Sequence, residues 1–119
     1  MTDQTELLPG TVVWVALSPV GGSEQQGHRP AVVVSSAGYL SSVTPRIGLV
    51  IVIPATTVEH GWRHHVPMTG PTGLDRPSWA LTDQPRTVST ERITRVVGRV
   101  DDITAGAIGR ALRLFLDLP

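Results

Sequence analysis

Ten consecutive residues, Gly21-Gly22-Ser23-Glu24-Gln25-Gln26-Gly27-His28-Arg29-Pro30, bring a carboxylate, two amides, an imidazole and a guanidinium into one loop. A plain connector needs no such density of hydrogen-bonding groups. A guanidinium presents a planar fork that meets two oxygens of a phosphate at once and stays charged at any working pH. The same high basicity makes it a poor general base, so Glu24, a carboxylate on the same loop, is the better proton acceptor. Pairing with Arg29 or capping of the loop backbone would explain Glu24 equally well. A second apolar run, Leu49 to Ile53, exits through Pro54-Ala55-Thr56-Thr57 and leaves two hydroxyls at a strand end. Such hydroxyls either donate to a substrate oxygen or satisfy local backbone groups.

The remaining chemistry-bearing residues are weaker signals. His60 and His64 have the four-residue spacing that aligns zinc ligands on a helix, yet Gly61 and Val66-Pro67 argue against a helix there. With no third ligand at a usable spacing, the stretch Val58 to His64 reads as a solvent-facing loop, and no metal site is expected. Trp62 on that loop could stack on a nucleobase or simply pack. Trp14 and Trp79 fall in strand patterns and are expected in the core. No P-loop, dinucleotide fingerprint or serine-hydrolase elbow is present.

The elements that must position these groups are mostly strands. Thr11 to Leu17, Ala31 to Ser35, Leu49 to Ile53, a short edge strand His65-Val66-Pro67-Met68, Ser78 to Leu81, and Ile93 to Val100 are β-branched or alternating runs bounded by turn residues. Pro30 fixes the backbone where the loop enters the second strand and holds Arg29 extended at its mouth. Ser36 to Arg46 is a connection with a helical turn around Tyr39 and Leu40, and Thr87 to Glu91 is a turn with helix-start chemistry. Asp101 or Asp102 caps a terminal helix, whose apolar stripe is read as Ile103, Ala107, Ala111, Leu114 and Leu118, flanked by Ile108, Leu112 and Phe115. The expected architecture is mainly β with a C-terminal helix, curled into a small antiparallel barrel. Residues 1–8 form a flexible tail and 9–119 a single domain.

Composition bounds the function. The 119 residues are 40% hydrophobic with a formal net charge of zero, which argues against a broadly basic nucleic-acid binder while leaving room for a small basic groove. All basic residues apart from histidine are arginine, which suits phosphate, but a codon bias gives the same pattern at every site and is the preferred explanation. With no cysteine, disulfides and thiolate catalysis are excluded. No apolar run approaches the ~20 residues of a membrane span. The N-terminus shows no secretory signal, so a cytoplasmic location is expected.

Trp14-Val15-Ala16-Leu17-Ser18-Pro19, the stretch Gly22 to Ser35, Val52-Ile53-Pro54-Ala55-Thr56-Thr57 and Ala80-Leu81-Thr82-Asp83-Gln84-Pro85-Arg86-Thr87 resemble, in order, blocks of the MazF/PemK family of toxin endoribonucleases. The resemblance implies an SH3-like barrel of the MazF/PemK/CcdB type and a homodimer. It implies metal-independent, sequence-selective cleavage of single-stranded RNA to a 2′,3′-cyclic phosphate and a 5′-hydroxyl, with no cofactor. It also implies inhibition by a cognate MazE-like antitoxin whose tail displaces the Ser18 to His28 loop. By the same resemblance Arg29 is the phosphate clamp and candidate acid, and Thr56 a hydrogen-bonding group beside it. Gln25, His28, Asp83, Gln84 and Arg86 become candidate RNA contacts. One family branch pairs the equivalent of Asp83 with an arginine two residues earlier; Leu81 stands there instead, which favours Arg29 as the central cation. The alternative is a non-catalytic barrel binding a protein target such as gyrase, which would have no use for Glu24, Arg29 and Thr56 together.

Overall fold

A computed structural model describes residues 6–16 and 27–119. Its strands are β1 (Thr11–Ala16), β2 (His28–Val33), β3 (Leu49–Thr56), β4 (His65–Pro67), β5 (Trp79–Leu81), β6 (Arg86–Ser89) and β7 (Ile93–Arg99). Helices α1 (Ala37–Ser42) and α2 (Thr44–Ile47) join β2 to β3, a 3-10 turn (Thr90–Arg92) precedes β7, and α3 (Asp102–Leu116) ends the chain. All pairings are antiparallel, in the order β4-β5-β3-β2-β1-β7, with β6 also on β3. No helix among the described residues is long and apolar enough to cross a membrane.

Strand alternation divides the apolar residues between two cores. Val13, Val15, Ala31, Val33, Val50, Val52 and Val88 pack with Leu40 of α1. Val12, Val32, Ile53, Val66 and Ala80 pack on the other face with Val100, just after β7, and Ile108 of α3. Because both faces are covered, the central strands read as continuous apolar runs. Leu7, although placed in the expected tail, packs against the first core.

Four expectations change. The stretch Thr87 to Glu91 is not a turn throughout: β6 pairs Arg86–Ser89 with β3, and only Thr90–Arg92 coils into 3-10 geometry. Trp14 and Trp79 are half-buried rather than core residues. On α3 the buried face runs through Thr104 and Ile108, while Ile103 and Leu114 are 78% and 77% exposed. The face is turned because Thr104 is anchored: its Oγ1 accepts from Thr69 N at 2.9 Å and donates to the Pro67 carbonyl at 3.3 Å. Hydrophobicity alone could not rank a threonine above an isoleucine there.

The fourth concerns β3, which continues through Pro54 to Thr56. Ile51 O accepts from Val34 N at 3.0 Å, so the odd positions of β3 direct their backbone groups toward β2. Alternation turns position 54 to the opposite side, where β6 has ended at Val52↔Arg86 and β5 begins at Ala55↔Ala80. The N–H that proline lacks would have faced the gap between two partner strands, so the strand tolerates it.

The two edges are linked without a ladder. After β4 the chain crosses to the end of β7, where Asp101 N donates to Thr69 O at 2.9 Å and Arg99 N to Pro71 O at 3.0 Å. This crossing keeps the sheet curled and seats the start of α3.

Candidate active site

The register of β2 and β3 pairs Ala31 with Pro54. One step outward Pro30 stands opposite Ala55, and two steps outward Arg29 stands opposite Thr56. Ala55 O points toward β2, as Ile51 O does, but Pro30 has no N–H to give it. The Arg29 side chain fills the vacancy, its Nη2 donating to Ala55 O at 3.4 Å. A backbone defect in the ladder therefore holds the guanidinium at the end of β3, on the carbonyl of the residue before Thr56. Arg29 itself is exposed, with four of its five N–H groups outside this bond.

Thr56, half-buried at the last position of β3, accepts from Val58 N at 3.1 Å through its Oγ1. The local role weighed for this hydroxyl is thus real, yet an acceptor role leaves its own hydrogen free to donate. Trp79 is paired directly with Thr56 on the far side and is half-exposed, so an aromatic face borders the hydroxyl. Neither feature is visible in the sequence, because both arise from strands that meet only in the fold.

His28 opens β2 and is exposed; one residue from Arg29, it projects from the opposite face of the strand. Its β1 partner is Ala16, whose carbonyl accepts from Arg92 Nη1 at 3.1 Å. Arg92 thus sits at the end of β1 beside the start of β2, a placement that sequence reasoning missed, since no local pattern ties the turn before β7 to the end of β1. Glu24, Gln25 and the rest of Ser18 to Gln26 lie outside the described residues.

Asp83, Gln84 and Arg86 form a separate group on the turn from β5 to β6. Gln84 N donates to Leu81 O at 3.0 Å and closes that turn. Arg86 is paired with Val52, four positions before Thr56 on β3, or roughly 13 Å along the strand. Asp83 Oδ2 lies 3.5 Å from His64 Nε2. Val58 to Arg63 is exposed, as expected of a solvent-facing loop, and the edge strand starts at His65 as expected, but His64 in the turn between them is only half-exposed. His65 is buried as the first residue of β4, and both rings pack on Trp62, which in turn stacks on His60 at 4.7 Å between centroids. Burial, and then the neighbouring His64 and His60 rings, hold His65 below its ordinary range, with Asp83 opposing. The neutral ring is favoured there.

Residues 8–116 match the family described as PemK-like, MazF-like toxin of type II toxin-antitoxin system. The chain is 36% identical over 80 residues to the endoribonuclease toxin MazF of Escherichia coli K12, a match spanning 67% of this chain and 66% of that protein. It is 35% identical over 113 residues to endoribonuclease MazF9 of Mycobacterium tuberculosis, spanning 92% and 95%. Among solved structures, MazF in a MazE-MazF crystal form from Deinococcus radiodurans superposes with a TM-score of 0.81 at 23% identity, covering 98% of this chain and all of that one.

Proposed function

The chain belongs to the PemK-like, MazF-like toxins of type II toxin-antitoxin systems, and on that premise we propose that it is an endoribonuclease that cuts single-stranded RNA at the mouth formed by β2 and β3. The relatives above are named endoribonucleases, so the gyrase-type binder is not favoured. The observation that carries the site is the bond from Arg29 Nη2 to Ala55 O, one residue from Thr56.

Cleavage proceeds by attack of a ribose 2′-oxygen on the adjacent phosphorus. A 2′-O–P bond forms, the P–O5′ bond breaks, and the products are a 2′,3′-cyclic phosphate and a 5′-hydroxyl. The 2′-hydroxyl gives its proton to a carboxylate, for which Glu24 is the candidate, and the departing 5′-oxygen takes a proton from Arg29, the candidate acid, which is reprotonated by the solvent as the carboxylate releases its own proton to it. Arg29 stabilises the charge that builds on the non-bridging oxygens, where a preorganised cation is worth far more than in water. Thr56 donates to one of those oxygens. His28, Gln25 and Arg92 extend the basic mouth along the RNA backbone. Asp83, Gln84 and Arg86 contact nucleotides farther along, which ties sequence selectivity to the β5–β6 turn.

No residue in this scheme needs an ion. The chain works as a homodimer, in the cytoplasm, and its partner is a MazE-like antitoxin whose tail occupies the same mouth. The MazE-MazF complex among its structural neighbours supports that pairing.

The test is incubation of the purified chain with a long RNA in excess EDTA. Cutting that persists in wild type and is lost in a folded Arg29→Ala variant is the expected result. Intact RNA with folded wild-type protein would overturn the assignment.

A further inference from the structure

Two strands away from Thr56, a second set of groups converges that the cleavage scheme does not use as a unit. His64 precedes β4, His65 opens it, and Asp83 sits on the turn after β5. One ligating atom from each of the three falls within 4.8 Å of the others, and His64 Nε2 and Asp83 Oδ2 are 3.5 Å apart. His65 is only 7% exposed, and its Nδ1 is buried with no hydrogen-bond partner among the described residues. Buried ring nitrogens are ordinarily satisfied, so an orphan on a ring that belongs to such a cluster calls for an occupant.

Consecutive residues of a strand would point to opposite faces, but His64 lies in the turn before β4 and escapes that alternation. Its backbone is clamped to the turn that bears Asp83: Thr82 donates to the His64 carbonyl twice, from Oγ1 at 2.6 Å and from N at 3.2 Å. Trp62 packs on both rings at 5.3 and 4.9 Å, and the Phe115 ring of α3 meets His64 edge-on at 5.8 Å. The pair is thus built on fixed backbone, with an apolar wall on one side and an opening on the other, where the His64 and Asp83 side chains are 26% and 41% exposed.

We propose that His64, His65 and Asp83 form a binding site for a divalent transition-metal ion of the zinc type. Two imidazoles and one carboxylate are the donor set that suits zinc and its neighbours, whereas magnesium and calcium take oxygen ligands. Tetrahedral zinc holds its ligands about 3.3 Å apart, so the His64–Asp83 spacing already fits and small side-chain rotations bring in His65. Three protein ligands leave the fourth position to water. The ion would cross-link the segment before β4 to the β5–β6 turn, away from the mouth where Arg29 lies.

The experiment uses the full chain without an affinity tag, stripped with a chelator and titrated with zinc by calorimetry. Cobalt(II) is titrated in parallel and followed by visible absorption. The expected result is one ion per chain, with the intense bands of a tetrahedral cobalt site. His64→Gln and Asp83→Asn should each weaken uptake by at least about tenfold while near-UV circular dichroism stays native. His28→Ala, at a histidine on β2 rather than near β4, should leave uptake unchanged. No saturable uptake at micromolar zinc, or equal uptake by the His64 and Asp83 variants, would overturn the site. The readout is binding, so it stands or falls independently of RNA cleavage.

Discussion

Arg29 Nη2 donates to the Ala55 carbonyl at 3.4 Å because Pro30, which the register sets opposite Ala55, has no N–H to offer. The proline therefore does two jobs. It holds Arg29 extended at the start of β2, and it leaves open the acceptor that holds the guanidinium on the residue before Thr56.

Replacing Pro30 with alanine should return a backbone donor to Ala55 and free the arginine. Cleavage is expected to slow by about three- to tenfold, while stability stays within about 1 kcal/mol of wild type, since one modest hydrogen bond replaces another. Single-turnover cleavage beside urea unfolding measures both. An unchanged rate would mean that the Ala55 bond does not orient the guanidinium.

Thr56→Val keeps the shape of the side chain and removes its hydroxyl. The turnover rate should fall roughly 100- to 1,000-fold, as when one donor to a developing oxyanion is lost, with little change in KM. The bond from Val58 N is lost as well, but it is exposed and costs about 1 kcal/mol at most. A rate within twofold of wild type would assign Thr56 to the turn alone.

Asp101 governs acid stability. Its carboxylate accepts from Thr69 Oγ1 at 2.7 Å and from Thr104 N at 2.9 Å as the N-cap of α3, and these bonds, the Thr69 one foremost, hold its pKa below the ordinary value. A depressed folded value contributes stability above the unfolded pKa of about 3.9, and that contribution is lost as pH falls through the folded value. The stability gap between wild type and Asp101→Asn, followed by urea unfolding from pH 7 down to pH 2, should be constant near neutrality and shrink below about pH 4. A gap independent of pH would contradict the ionic role.

Gly73 and Gly61 separate backbone strain from collision. Both have positive φ, +75° and +74°, but a Cβ at Gly73 would lie 2.1 Å from Val97 O, whereas one at Gly61 would meet nothing within 4 Å. Gly61→Ala should cost about 1 kcal/mol, the ordinary penalty of a left-handed conformation. Gly73→Ala should cost at least about 2 kcal/mol more, because the chain crossing from β4 must lift off β7. Equal losses in thermal unfolding would show that the crossing is loose.

Much of this molecule is written locally. Alternating β-branched runs marked six of the seven strands, Asp101 announced the helix start, and Arg29-Pro30 at a strand mouth, with Thr56 at the end of another, gave the candidate reacting groups and pointed to the family. These features rest on backbone preference, side-chain period and residue type, which neighbours in sequence decide.

What the sequence could not specify is which strand each edge would meet. β6 was hidden because Arg86–Ser89 becomes a strand only by pairing with β3, and β3 outran Pro54 because its partners change at that residue. The face of α3 was set by Thr104 bonding to Thr69 and Pro67, and His64, His65 and Asp83 met only when β4 lay down on β5. Each of these depends on contacts between segments far apart along the chain, whose free energy appears only once the strands have paired and α3 has docked.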